Sequence, residues 1–159
     1  MLLGSRRAMR VGARLCGALS IESQRNSTLR TVIRQTVVLP ASAETLFEMY
    51  LDSSAHEAIT GARVVIGDER GAKFQAFDGA LTGTMLKVIR PRLIVQSWWS
   101  TEFKPENPDS TLILYFSPEG DKGRIDLIHL DVPDHDYDGV TQGWEKYYWV
   151  PWRAYLESR

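Results

Sequence analysis

The side chains with the clearest potential for chemistry are one histidine and two tyrosines. His129 alternates with Ile125 and Leu127, and this period of two predicts a strand that presents the three side chains on one face. His129 together with Tyr115 or Tyr148 would supply the acid and the base of a cyclase or hydrolase reaction. The alternative is a core histidine whose ring nitrogens are hydrogen-bonded, and we favour this interpretation.

The two other histidines do not indicate a metal site. His56 stands beside Glu57 near the end of a short predicted helix, where we expect local hydrogen bonding rather than a catalytic base. His135 lies in the acidic segment 131–138, which contains Pro133 and lacks the ligand spacing of a calcium loop. We therefore expect a solvated loop and no metal ligands.

Motifs for cofactor binding and covalent catalysis are missing from the sequence. It contains no phosphate-binding glycine loop, no nucleophile elbow and no zinc-binding helix motif. The single cysteine, Cys16, excludes an intramolecular disulfide and favours a reducing compartment. We therefore predict no cofactor and no catalytic residue.

Aromatic side chains are the remaining candidates for function. Ligand cavities are lined mainly by apolar and aromatic groups, and Tyr and Trp add polar tips that need hydrogen-bond partners. The alternative is that the rings simply fill a densely packed core. We predict a ligand cavity lined by Phe74, Trp98, Trp99, Tyr115, His129, Trp144, Tyr148 and Trp152, with Phe77 and Phe116 as further candidates.

A C-terminal helix must position many of these rings. Apolar residues recur there at steps of three and four, which predicts one helix with a single aromatic face. Such a face cannot remain in water, because each buried aromatic side chain covers about 150–250 Å². A concave apolar surface must therefore receive the face, which is formed by Val140, Trp144, Tyr148, Pro151, Trp152 and Tyr155.

Runs of β-branched and apolar residues in the rest of the sequence predict the strands that form this concave surface. Residues 31–39 are rich in β-branched side chains and end before Pro40, as in a first strand. A helix beginning at Ser42 or Ala43 follows, and a second short helix ends near Gly61. Antiparallel strands come next, without the rhythm of a nucleotide-binding βαβ fold. They are 73–77 and 80–89, joined by an Asp78-Gly79 turn, then 93–99, 111–116 and 124–132.

Two segments carry a resemblance to a known family. The stretch TGARVVIGDERGAKFQAFDGALTGTMLKVIRPRLIVQSWW (60–99) and the stretch GWEKYYWVPWRAYL (143–156) resemble the domain shared by activators of the 90 kDa heat-shock chaperone's ATPase and their bacterial relatives. The resemblance covers residues 31–157. It implies the START-like (SRPBCC, Bet v 1-like) helix-grip fold of class α+β, in which a curved antiparallel sheet wraps around a long C-terminal helix, with two short helices after the first strand. It also implies binding of a small hydrophobic molecule or of a protein partner.

Two departures from the family pattern limit what the resemblance implies. Trp99 stands where the family usually has Arg, so any role of that Arg is in doubt, and a Trp99 that faced the cavity would make it more apolar. The eukaryotic activators carry a second, N-terminal domain that binds the chaperone. Because nothing before residue 31 has the pattern of such a domain, we expect a helix-grip module rather than a complete chaperone activator.

Charge separates an N-terminal extension from this domain. Residues 1–30 carry six arginines and one glutamate, so we expect a basic, disordered extension, with a mitochondrial transit peptide as the alternative. The remainder is net acidic, which argues against nucleic-acid binding. No apolar run approaches the roughly 20 residues that span a bilayer. We therefore expect a cytoplasmic protein, or a mitochondrial one if residues 1–30 act as a transit peptide.

Three functions remain open on the sequence. The first is a non-enzymatic helix-grip protein that binds a small hydrophobic ligand or a partner protein and takes part in a stress response. The second is a polyketide-cyclase-like or hydrolase-like enzyme that uses the same cavity. The third is a module that contacts a chaperone and has no ligand.

Overall fold

A computed structural model describes residues 32–159, so the predicted basic extension lies outside the described residues. In this part of the chain seven strands form one antiparallel sheet. They are β1 (Ile33–Leu39), β2 (Val64–Val65), β3 (Lys73–Ala76), β4 (Leu81–Ile89), β5 (Leu93–Ser100), β6 (Ser110–Glu119) and β7 (Lys122–Leu130). Their order across the sheet is β1-β7-β6-β5-β4-β3-β2, so the first strand is paired with the last one, and β4 to β7, the four longest strands, form a meander.

Two short helices, α1 (Ala43–Leu51) and α2 (Ser53–Thr60), follow β1 as predicted. The Ser42 hydroxyl accepts a hydrogen bond from the Thr45 backbone N–H and so caps the start of α1. Asp52 ends α1 and its carboxylate caps α2. Gly61 ends α2 with a φ of 71°, a left-handed conformation that favours glycine. Local sequence thus accounts for both helices.

The C-terminal helix differs from the prediction in its middle. It consists of α3 (Tyr137–Trp144), a π-helical turn (Glu145–Trp149) and α4 (Val150–Glu157). A π turn adds a residue to the repeat, so Trp149 shares the buried side of the helix with Trp144, and their rings stack at 5.5 Å. Gln35 of β1 holds this region, because its side-chain amide accepts from the Trp149 indole N–H and donates to the Thr141 carbonyl.

The predicted α+β fold is confirmed: the curved antiparallel sheet wraps around the C-terminal helix, and the core lies between them. On β5, β6 and β7 every second side chain is buried, which assigns one face of the sheet to the core. In residues 32–159 no helix is long and apolar enough to cross a membrane.

The turn between β3 and β4 is longer than the two residues that the sequence predicts. Ala76 pairs with Leu81, so Phe77 leaves the strand and enters a short 3-10 turn, Phe77–Gly79. Phe77 and Asp78 adopt positive φ angles of 51° and 55°. The Phe77 ring is half-buried and packs edge-on against Tyr148 at 6.0 Å, a contact that favours this turn against its backbone cost.

Candidate functional site

A cavity of about 430 Å³ lies between the C-terminal helix and one end of the sheet. Its volume falls within the range of small-molecule sites. The turn before β4, the end of β5 with the loop that follows, and helix α3 with the π turn line it, and one side is open to solvent. The lining residues are Phe77, Ala80, Leu81, Trp98, Ser100, Thr101, Glu102, Asp136, Gly139, Val140, Gly143, Trp144, Tyr147 and Tyr148.

Aromatic rings form most of the cavity wall. The rings of Trp144 and Tyr148 lie 4.7 Å apart on the helix, and Trp98 faces Trp144 from β5 at 6.5 Å. Phe77 contacts Tyr147 at 5.7 Å and closes the side nearest β4. Tyr147 is 47% exposed, so it stands at the mouth of the cavity rather than at its base. The wall is preformed by packing between rings from three separate elements.

His129 supports the cavity wall from behind. Its side chain is fully buried, with Nε2 2.8 Å from the Ser110 hydroxyl, which in turn donates to the Trp98 carbonyl. Nδ1 accepts from the Trp144 indole N–H at 3.3 Å. Burial lowers the pKa of His129 from 6.5 to about 3, so the ring is neutral. His129 is thus a hydrogen-bonded core histidine that orients Trp98 and Trp144, the interpretation favoured from the sequence.

His56 makes the local hydrogen bond expected from the sequence, but its burial and its contact with the C-terminal helix were not predicted. It is 1% exposed; its Nδ1 lies 2.8 Å from the Tyr50 carbonyl oxygen and its Nε2 lies 3.3 Å from the Tyr148 hydroxyl. The Nδ1–H therefore donates to the carbonyl and Nε2 accepts from Tyr148. Burial lowers the pKa of His56 to about 4 and raises the pKa of Tyr148. In the sequence, the burial of His56 is indicated only by its three-residue spacing from Ile59, which places the two side chains on one face of α2.

Three buried polar atoms have no hydrogen-bond partner among residues 32–159. They are Nε2 of Gln96 and Nε1 of Trp98 and of Trp152. The Gln96 Oε1 is used, because it accepts from the Tyr50 hydroxyl at 3.2 Å. Trp98 is the one of the three whose side chain lines the cavity, but its indole N–H is itself buried.

Two carboxylates stand at the mouth of the cavity. Asp136 precedes α3, and Glu102 is exposed in the loop after β5. Partial burial raises the pKa of Asp136, and the negative charge of Glu102 adds to this increase, whereas His135 opposes it. Gly139 leaves room for the Asp136 carboxylate, because a Cβ at position 139 would overlap Oδ1.

The structure brings together only some of the predicted cavity residues. Trp98, Trp144 and Tyr148 line the cavity, as does the further candidate Phe77. Phe74 and Trp152 are buried in the core but do not line it, and His129 lies behind the wall. Phe116 is also a core residue, packed edge-on against Phe47.

Trp99 and Tyr115, which the sequence analysis also assigned to a cavity, do not line this one. Consecutive side chains of a strand point to opposite faces, and Trp98 and Leu114 are the buried neighbours. Tyr115 is 45% exposed on the outer face of the sheet. Trp99 is half-buried on the same face and packs against Phe103 at 6.3 Å. A pairing of His129 with Tyr115 as acid and base is therefore not assembled.

Among the described residues there is no group of three or more His, Cys, Asp or Glu side chains that could hold a metal ion. His135, the histidine of the acidic segment, instead places Nε2 3.2 Å from the Glu102 carbonyl oxygen. Glu102 and Asp136 are the acidic side chains among the described residues that line the cavity.

Comparison with known proteins agrees with this architecture. The chain is 25% identical over 123 residues to the human activator of 90 kDa heat shock protein ATPase homolog 1, a match that covers 76% of this chain and 35% of the relative. The chain thus spans about a third of the length of this curated relative.

Solved structures share the fold. A crystal structure of an HSP90 activator from Plasmodium falciparum superposes with a TM-score of 0.67 at 20% identity, covering 74% of this chain and 90% of the other. The solution structure of the Aha1 dimer from Colwellia psychrerythraea gives 0.68 at 11% identity, covering 79% and 96%. The family model for activator of Hsp90 ATPase homolog 1-like proteins matches residues 40–157, and the chain therefore belongs to that family.

Proposed function

We propose that the chain is a non-enzymatic binding protein that holds a small hydrophobic molecule in the cavity between the sheet and the C-terminal helix. The observation that carries this proposal is the aromatic cavity of about 430 Å³. Affinity in such sites comes from apolar walls, with a few polar groups that orient the ligand.

The polar side chains around the cavity support binding rather than catalysis. Both ring nitrogens of His129 and of His56 are occupied by hydrogen bonds within the core. Both histidines also have pKa values far below the pH at which a general base works well. A polyketide-cyclase-like or hydrolase-like reaction would need one of them to be released.

An uncharged dye whose fluorescence depends on solvent polarity tests the proposal. It should bind the native protein with about one-to-one stoichiometry, because the proposal places one ligand in one aromatic cavity. Gly143→Leu should block binding: a Cβ at position 143 meets only Tyr147 Cδ2 at 3.7 Å, so the longer side chain can enter the cavity without disturbing the backbone. Leu also favours the helix more than Gly does.

Neighbouring residues on β5 provide a matched control. Trp98→Phe alters the cavity wall, whereas Trp99→Phe changes the same residue type on the outer face. We expect the first variant to change dye affinity and the second to leave it unchanged. Equal affinity in the wild-type protein and in a folded Gly143→Leu variant would contradict the proposal.

A second candidate function is contact with a 90 kDa heat-shock chaperone, and the family match is the observation that favours it. The curated relative is named as an activator of that chaperone's ATPase, and this chain matches 35% of it. Adding the purified chain to a 90 kDa chaperone and measuring ATP hydrolysis tests this function. An unchanged rate, together with no binding by calorimetry, would reject it.

We also propose that the chain works in the cytoplasm, in a stress response. The single cysteine, which suits a reducing compartment, supports the location. Fluorescent fusions of the full chain and of a chain without residues 1–30 would test it. Mitochondrial fluorescence that is lost on deletion would support the transit-peptide alternative instead.

A further inference from the structure

The cavity combines an aromatic wall with negative charge at its mouth. Phe77, Trp98, Trp144, Tyr147 and Tyr148 supply the rings, and Glu102 and Asp136 supply the carboxylates. None of the described residues that line the cavity is Lys or Arg. We propose that the cavity binds an apolar amine, with its hydrocarbon body against the rings and its ammonium group between Glu102 and Asp136. This inference rests on the proposed function and names the class of its ligand.

The aromatic rings and the carboxylates of the cavity both favour binding of a cation. An ammonium group is attracted to the face of an aromatic ring, and more strongly when it is partly desolvated. The Lys146 amino group already lies 4.9 Å from the centre of the Tyr147 ring, so this ring accepts a cation on one face. Carboxylates add a direct Coulomb attraction, which is larger near a partly buried site than in bulk water.

The two carboxylates are available for a ligand. The ion pairs formed by the described residues are those of Arg90 with Glu48 and Asp68 and of Arg124 with Asp126, so neither mouth carboxylate is paired in this part of the chain. Glu102 and Asp136 are close enough for their charges to repel. His135 lies beside them, because its Nε2 is 3.2 Å from the Glu102 carbonyl oxygen. A bound cation would relieve the repulsion between the carboxylates.

Gly139 adds a geometric argument. Its missing side chain lets the Asp136 carboxylate pack against the start of α3, since a Cβ there would overlap Oδ1. The cavity is thus shaped so that this charge lies at its edge. Gly139→Ala keeps both charges but moves the Asp136 side chain, so the variant separates local geometry from net charge.

Three probes of nearly equal size test the proposal: 4-phenylbutylammonium, 4-phenylbutan-1-ol and 4-phenylbutanoate. Their dissociation constants would be measured by calorimetry at pH 7.5 and low ionic strength. We expect the ammonium probe to bind about tenfold more tightly than the alcohol and the carboxylate probe to bind most weakly, as one partly solvated charge contact implies. Added salt should reduce the difference.

Variants distinguish the mouth carboxylates from the charge of the whole protein. In Asp136→Asn/Glu102→Gln the ammonium probe should lose its advantage while the alcohol binds as before, and Gly139→Ala should lose part of it. Glu119→Gln, at the exposed end of β6, should retain it. Equal binding of ammonium and alcohol, or an unchanged preference in the double variant, would overturn the inference but leave the proposed function intact. Failure of both the uncharged dye and the alcohol to bind would reject the proposed function itself.

Discussion

The hydroxyl of Tyr148 lies 3.3 Å from Nε2 of His56, although 92 residues separate them in the chain. This hydrogen bond joins the π turn of the C-terminal helix to α2, and α2 also contacts α4. Tyr148 lines the cavity with the same ring that reaches the histidine. The shape of the cavity and the packing of α2 are therefore coupled through this pair.

Replacing Tyr148 with Phe should destabilise the protein although the ring is kept. Nε2 of His56 would remain buried without a donor, which costs about 1–3 kcal/mol. Urea unfolding at pH 7 would measure the loss. Tyr147→Phe is the matched control, because the Tyr147 side chain is 47% exposed and its hydroxyl has no hydrogen-bond partner among residues 32–159. Equal stability of the two variants would mean that the His56–Tyr148 bond contributes little.

Two buried neutral histidines should make stability depend on pH. The folded pKa values are about 4 for His56 and about 3 for His129, against an ordinary value of 6.5. Between pH 6.5 and about 4 the unfolded chain binds protons at both sites that the folded chain does not, so the free energy of unfolding falls as the pH falls. The loss should be about 1.4 kcal/mol per pH unit for each histidine.

Urea titrations at pH 7, 6 and 5 would measure this slope. His129→Gln should reduce it by about half, because one of the two contributing groups is removed. His135→Gln, at an exposed position, controls for the loss of a histidine as such. A slope that is the same in the wild-type protein and in a folded His129→Gln variant would contradict the assignment.

Periodicity, caps and turn residues in the sequence predicted the helices and most of the strands, and the family resemblance implied how they are arranged. The alternation in 93–100 and the caps at Ser42 and Asp52 are local signals, and the structure follows them within a few residues. The same alternation also explains why the predicted cavity residues do not all lie on one side of the sheet. Trp98 and Trp99 are neighbours on one strand and cannot both face the cavity.

Other features depend on contacts between distant segments and could not be read from local pattern. The π turn moves Trp149 to the buried side, where Gln35 accepts from its indole N–H at 2.6 Å. His56 meets Tyr148 only because α2 packs against the C-terminal helix. The role of Phe77 follows from the positive φ angles of its turn rather than from strand spacing.

Trp144 and Trp152 should each be essential for the stability of the C-terminal helix. They are 2% and 1% exposed, and truncation to Ala should cost about 3–5 kcal/mol, as for other large aromatic side chains in cores. Thermal and urea unfolding would measure the loss. Tyr147→Ala, on the exposed side of the same helix, should cost much less. Wild-type melting of both Trp variants would show that the helix does not pack as described.

Two glycines should respond to alanine with opposite signs. At Gly83 of β4 a Cβ would overlap the backbone carbonyl of Ser97 on β5, and backbone there cannot move without breaking the strand pairing. Gly83→Ala should therefore destabilise the protein by about 1–3 kcal/mol, the range for overpacking. At Gly143 a Cβ meets only Tyr147 Cδ2 at 3.7 Å, an ordinary contact. Gly143→Ala should stabilise by about 1 kcal/mol, because alanine is the better helix former.

The pair gives a direct test of the backbone geometry beside the cavity. Differential scanning calorimetry of the two variants should place their melting temperatures on opposite sides of the wild-type value. A stabilising Gly83→Ala would mean that β4 and β5 are farther apart than in this structure, since only greater separation makes room for the Cβ. A destabilising Gly143→Ala would mean that the helix packs more closely at this position, and the cavity would then be smaller than about 430 Å³.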